Sequence, residues 1–293
     1  MKLEMNLENK IAIVAGATRG AGRAMAIKLG EAGATVYVTG RTTREGISPM
    51  QRKETIEETA ELVNDSGGEG IPVKVDHTDE AQVEKFINKV NREQNGRLDI
   101  LVNDVWGGDP LTEWGKDVGD HNLQKGLQMQ RQAVQAHFIT SHFALPLMKK
   151  KNAGLIVEIT DGVDSEYRGN FYYSLAKVSN IHMAKAMAED LKDYNITSIA
   201  LTPGFLRSEA MLELFGVTEE NWKDGVKVEK HFIASETPFY IGEALKYLAL
   251  DPDVRRFNGK TLSTWELSDV YGFKDVDGTQ PHWGNYYKEN VEK

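Results

Sequence analysis

The chain contains no cysteine. Disulfides, thiolate metal sites and a cysteine nucleophile are therefore excluded. It has no run of about 18 apolar residues, so no segment reads as a membrane-spanning helix. Positive charge is in deficit: Lys plus Arg number 35 against 44 Asp plus Glu, for a net charge of -9. Such a chain is a poor candidate for sequence-independent nucleic-acid binding. Any anionic ligand has to be held by local donors rather than by the overall field. No internal repeat, low-complexity tract or Pro/Gly/Ser-rich linker interrupts the 293 residues, and one domain is the simplest reading. The amino-terminal segment carries Glu4 and Glu8 and no apolar core. It does not read as a signal peptide, and the cytoplasm is the expected location.

What the chain does have is a repeated alternation of short apolar runs and helix-forming segments. Strands are expected at residues 11–15, 35–39, 71–75, 98–102, 155–159 and 197–201, with a short last one at 261–263. Helices are expected after Gly22 and at 53–65, 79–94, 122–150, 172–192 and 239–250. This order predicts an α/β, three-layer Rossmann-type fold, a parallel sheet with helices on both faces. Segments 42–52 and 205–237 read as loop elaborations, and residues from about 266 onward as a carboxy-terminal extension.

The first strand runs into Gly16, Gly20 and Gly22, and a helix-forming stretch follows. Strand, glycine turn and helix together aim free backbone N–H groups at an anion. Glycine suits the turn because a Cβ would block a pyrophosphate or forbid the backbone angles. Far downstream, Tyr173 and Lys177 stand four apart in a helical segment, so their side chains share a face. A phenol is a poor acid or base at neutral pH, but a nearby ammonium favours the phenolate. The pair can then move a proton to or from a substrate oxygen.

Four pieces occur in one order: the Gly16/Gly20/Gly22 turn, Leu101-Val102-Asn103, Tyr173-Ser-Leu-Ala-Lys177 and Pro203-Gly204. In these the chain resembles the short-chain dehydrogenase/reductase family over roughly residues 8–265. The resemblance implies a nicotinamide dinucleotide cofactor and hydride transfer to or from a carbonyl or alcohol carbon. Tyr173 becomes the acid/base, and Lys177 its partner and a ligand of the nicotinamide ribose. Gly16, Thr18, Arg19, Gly20 and Gly22 become cofactor contacts. Pro203, Gly204 and Ser208 match the segment that meets the nicotinamide amide, with Ser208 replacing a threonine. Asp76 matches the acid that contacts the adenine amino group. A helix N-cap is its alternative role, which Asp79 fits better. Asn103 is the surviving part of a longer motif and is either a cofactor contact or a brace for the sheet.

The chain also departs from the family. The fifth strand ends Glu158-Ile159-Thr160-Asp161, where the family's catalytic serine is expected. Matching along the strand puts Asp161 in the serine's place, whereas counting 13 residues back from Tyr173 gives Thr160. Strand alternation places Asp161 on the face of Val157 and Ile159, which favours Asp161. An ionised carboxylate accepts hydrogen bonds only, whereas Asp161 carrying a proton could also donate to a developing oxyanion. The family's helix asparagine falls on Ala133, 13 residues before Pro146, so its proton relay is either absent or rebuilt from a glutamine. Trp106 replaces a small residue and either reshapes the rim of the cleft or fills loop space.

Cofactor choice follows from charge. A site for NAD usually carries Asp or Glu at the end of the second strand. This chain has Gly40-Arg41-Thr42 there, and Arg41, Arg19 and Thr42 suit a 2'-phosphate, so NADP(H) is expected. Segment 205–237 reads as a substrate lid or as a plain pair of surface helices. The aromatic tail is expected to pack on its own subunit or on a neighbour, without a calcium site at Asp275 and Asp277. His137, His142 and His182 read as structural, with no metal. By resemblance, small residues along the Tyr173 helix (Ala176, Ser179, Ala184, Ala188) suit a homodimer or homotetramer. The rival functional reading, motivated by the altered serine and asparagine, is a dinucleotide-binding sensor or scaffold with little turnover.

Overall fold

The computed structural model describes residues 6–46 and 51–292. Part of the 42–52 insertion, residues 47–50, lies outside them. Seven strands form one parallel sheet: β1 (Ile11–Ala15), β2 (Thr35–Gly40), β3 (Glu69–Lys74), β4 (Ile100–Asn103), β5 (Gly154–Ile159), β6 (Ile196–Thr202) and β7 (Thr261–Ser263). Their spatial order is β3-β2-β1-β4-β5-β6-β7. Neighbours are in parallel register, with Val14 beside Val102, Val102 beside Val157 and Val157 beside Ile199. That row is apolar because both sheet faces are covered. On one face Val14, Val102 and Val157 pack with Met25, Leu29, Ile241 and Leu245. On the other, Ile13, Leu101 and Ile156 pack with Phe86, Leu147 and Met148.

The strand order reverses between β1 and β4, and a crevice opens there beyond the carboxyl ends of the strands. Helix α1 (Gly20–Glu31) follows β1, and α2 (Ile56–Asp65) follows β2. Helix α3 (Glu80–Glu93) is capped by Asp79, whose carboxylate accepts from Gln82 N at 3.1 Å. The expected helix at 122–150 is broken in two. Helix α4 (Leu123–Gln130) meets α5 (Ala136–Lys151) through a π-helical turn at Arg131–Gln135. The turn contains Ala133, where the relay asparagine was expected, and such wide turns concentrate at functional sites. Helix α6 (Phe171–Asp190) carries Tyr173 and Lys177. Its Ala176, Ala184 and Ala188 are buried within the chain, and Ser179 is half-buried.

Segment 205–237 holds the short helix α7 (Glu209–Phe215) and two 3-10 turns at Trp222–Lys227 and Lys230–Ala234. They wrap around buried Phe232, whose ring meets Phe215 at 4.8 Å and Phe205 at 5.3 Å. Helix α8 (Pro238–Leu250) then returns to pack on α1, and α9 (Thr264–Tyr271) and α10 (Trp283–Asn290) form the tail. The tail packs on its own chain. Asp275 accepts from Thr237 N at 2.7 Å, and Asp277 accepts from buried Arg207 at 2.9 Å. Arg207 also donates to Ser235 O at 2.9 Å and to Glu219 at 3.0 Å, with Trp222 stacked 4.2 Å from its guanidinium.

Beneath this tie lies fully buried Glu236, which accepts from Gly204 N at 3.0 Å and from the Thr264 hydroxyl at 2.8 Å. Burial pushes its carboxyl up to about 8. The folded chain therefore keeps a proton that the unfolded chain releases near pH 4.5. Folding stability falls as pH rises through that window, by roughly 1.4 kcal/mol per pH unit, and levels off above about pH 8. Glu236→Gln keeps the acceptor and removes the titration. Its stability advantage over the parent is expected to grow between pH 5 and 8 in denaturant titrations, and a pH-independent difference would contradict this.

Candidate active site

The crevice is a cleft of about 510 Å³ bounded by the glycine turn, the ends of β2 to β6 and segment 205–237. Gly16 adopts φ +91°, and a Cβ there would lie 2.5 Å from the Asp104 carbonyl oxygen. A Cβ on Gly22 would lie 2.3 Å from the Gly16 carbonyl. These glycines draw the turn and α1 tightly onto the loop after β4. Arg19 precedes α1 without capping it through its side chain. The backbone N–H of Gly20 instead donates to the Glu209 carboxylate, at 3.0 and 3.2 Å. The amino end of α1 thus already receives a carboxylate, supplied by α7.

Asn170 starts α6 by accepting from Tyr173 N at 2.9 Å. One turn inside the helix, the Tyr173 hydroxyl donates to Asp161 Oδ2 at 2.9 Å. Thr160, the alternative to Asp161, turns away and donates to the Lys177 backbone carbonyl at 2.8 Å. Burial, and then the Asp161 carboxylate, hold the Tyr173 phenol well above its usual range. Burial lowers the Lys177 ammonium, while the charges of Asp161, Asp104 and Asp109 oppose that shift. The Lys177 ammonium lies 4.1 Å from the Trp106 ring centroid. The Trp106 and Tyr173 rings meet edge to face at 5.3 Å, and Trp114 flanks the same phenol at 5.4 Å. Burial also pushes the Asp104 carboxyl up to about 7 against the pull of Lys177 and His137.

At the other end of the cleft Arg41, Thr42 and Asp76 line the wall with Arg19 and Thr18. Arg41 Nη1 stands 3.7 Å from Asp76 Oδ2, and Arg19 Nη2 stands 3.7 Å from Asp109 Oδ2. Asp76 also accepts from Thr78 N at 2.9 Å, so its carboxylate is already engaged. Pro203, Gly204 and Ser208 border the cleft, and the Ser208 hydroxyl caps α7.

Asn103, which the sequence left open between a cofactor contact and a brace, makes bracing contacts through its amide nitrogen. Asn103 is fully buried, and its amide donates to Ser141 at 2.9 Å and to Glu158 at 2.7 Å. It braces β4 against β5 and α5. Buried His137 joins this brace, with Nδ1 2.7 Å from Glu158 and Nε2 3.0 Å from the Val105 carbonyl. Of the glutamines around Ala133, Gln132 reaches the cleft, and its Oε1 is buried without a partner among the described residues. Three participants have no sequence signal: Glu209 on Gly20, Asp109 between Arg19 and Trp106, and Trp283 of the tail, which lines the cleft beside Gly204.

The pattern of the family described as short chain dehydrogenase matches residues 10–216. The chain belongs to the short-chain dehydrogenase/reductase family. It is 30% identical over 276 residues to dehydrogenase/reductase SDR family member 1 of Mus musculus, covering 93% of this chain and 85% of that protein. It is 27% identical over 256 residues to a 3-oxoacyl-[acyl-carrier-protein] reductase of Aquifex aeolicus, covering 83% and 97%. Its fold is similar to the crystal structure of a short chain dehydrogenase from Mycobacterium thermoresistibile. The TM-score is 0.78 at 22% identity, with 95% of this chain and 93% of that one covered. Members of this family are oxidoreductases that bind a nicotinamide dinucleotide and act on small molecules. Among the described residues no helix is long and apolar enough to cross a membrane.

The glycine cradle fits such a cofactor, since the Gly20 N–H already holds a carboxylate. Glu209 then competes with a pyrophosphate for the same donor. Glu209→Gln is expected to tighten dinucleotide binding about fivefold, the size of ~1 kcal/mol at a helix terminus. Titration of NADPH fluorescence measures this, and unchanged or weaker binding would refute the competition.

Proposed function

We propose that the chain is an NADP(H)-dependent reductase of small carbonyl compounds, with Tyr173 as the proton donor. The observation that carries this reading is the Tyr173 hydroxyl bonded to Asp161 at 2.9 Å, one helical turn from Lys177, inside the cleft of the glycine turn. The nicotinamide dinucleotide, when bound, supplies the hydride. Tyr173 gives its proton to the substrate oxygen as negative charge develops there. Asp161 accepts the phenol O–H in the resting site, which orients that hydroxyl and keeps the phenol protonated at neutral pH. The Lys177 ammonium is the counter-charge for the phenolate left behind. A phenol kept as an acid suits reduction better than oxidation. Arg41, Arg19 and Thr42 would hold a 2'-phosphate, and no acid ends β2 to repel it.

Ala133 and Asp161, in place of the family's asparagine and serine, favour a second reading, a dinucleotide-binding sensor or scaffold with little turnover. Loss of NADPH absorbance over a broad panel of carbonyl compounds separates the two. A responsive substrate is expected to lose about two to four orders of magnitude in rate with Tyr173→Phe, while NADPH binding is retained. Tight NADPH binding with no turnover of any compound would favour the sensor. Arg41→Glu is expected to weaken NADPH by more than about tenfold and to spare NADH. Equal loss for both cofactors would remove the 2'-phosphate assignment.

A further inference from the structure

The loop after β4 carries a half-buried tryptophan, Trp106, whose ring is held at several points. Its Nε1 donates to Asp109 Oδ1 at 2.6 Å. Its six-membered ring lies back over Gly108, where a Cβ would stand 2.3 Å from Trp106 Cζ2. Gly107 turns the chain there with φ +72°. So fixed, the ring presents its face to the Lys177 ammonium at 4.1 Å and meets Tyr173 edge to face at 5.3 Å. Among the described residues the ammonium forms no ion pair or hydrogen bond, and the indole face is the group that lies against it. Asp109, which anchors the indole, also stands 3.7 Å from Arg19 on the glycine turn.

We propose that Trp106 is a positioning residue: its ring face holds the Lys177 ammonium beside Tyr173, and Asp109 ties that ring to the glycine turn through Arg19. The proposal rests on the reading of Tyr173 and Lys177 as the proton-handling pair. Its physical content is a cation held on a π face in a poorly solvated site. Burial disfavours the charged amine there, and the ring's quadrupole partly restores it. The other charged or titratable groups that face Lys177 are Asp161 at the end of β5, Asp104 and Asp109 after β4, and Tyr173 on its own helix. Of these, Asp109 loses its indole hydrogen bond in both Trp106→Leu and Trp106→Phe, so the difference between the two variants isolates the π face.

The test is the titration of Lys177, followed by NMR on isotope-labelled lysine side chains and assigned with Lys177→Met, with and without NADP⁺. Trp106→Leu is expected to lower the Lys177 midpoint by about one pH unit, and Trp106→Phe, which keeps a π face, to restore most of it. Gly108→Ala leaves an ordinary backbone, φ -89°, and adds only the methyl that displaces the ring. It is expected to shift Lys177 in the same direction even if Trp106→Leu does not fold. Where a carbonyl substrate is turned over, the alkaline limb of kcat/KM moves with the Lys177 midpoint. An unmoved Lys177 in Trp106→Leu or, where that variant does not fold, in Gly108→Ala overturns the proposal. So does a shift in Trp106→Phe as large as in Trp106→Leu. The NMR readout needs no turnover, so the absence of any carbonyl substrate would count against the reductase reading alone.

Discussion

The contact on which the site depends is between the glycine turn and the loop that leaves β4. Cβ atoms on Gly16 or Gly22 would overlap the Asp104 carbonyl or the Gly16 carbonyl. Without side chains there, the two loops touch across the point where strand order reverses. This contact places Asp104, Trp106 and Asp109 beside Arg19, and so brings the Tyr173 end of the cleft against the glycine turn. A Cβ at either glycine would force the turn away from its neighbours at the point where strand order reverses.

Charge within the cleft is handled by pairing. Among the carboxyl groups in and beside it, Asp161 accepts from the phenol hydroxyl, Asp76 from Thr78 N, Asp109 from the indole N–H, and Glu209 from the first N–H of α1. An acidic chain can therefore keep a cavity for an anionic cofactor, because its own carboxylates are occupied or are held in place by that cavity's donors. The Lys177 ammonium differs in resting on an aromatic face.

The sheet was legible because its strands are short apolar runs bounded by turn residues, and buried parallel strands need little else. Tyr173 and Lys177 were legible because four residues make one helical turn. The choice of Asp161 over Thr160 followed from strand alternation, and the structure sets Asp161 against the phenol. Asn103 was half legible: its place on β4 was clear, but whether it served the ligand or the core depended on Glu158 and Ser141, far away in sequence. The small residues of α6 suit close contact, and their tie to a partner subunit came from resemblance alone. Helical spacing does not say whether that contact is with the chain's own sheet. Glu209, Asp109 and Trp283 reach the cleft from a lid, a loop and a tail whose paths no periodicity encodes. The break of α4 from α5 is a backbone choice that a helix-forming sequence conceals.

The tail has a consequence for how the site comes into being. Trp283 lies against Gly204 and borders the cleft, and Asp275 and Asp277 fasten segment 205–237 to the tail. A nascent chain that has completed the first six strands has made its glycine turn and its tyrosine, yet residues 275–283, which complete the wall opposite them, are still to be added. Maturation of the pocket therefore follows the laying down of the sheet that supports it.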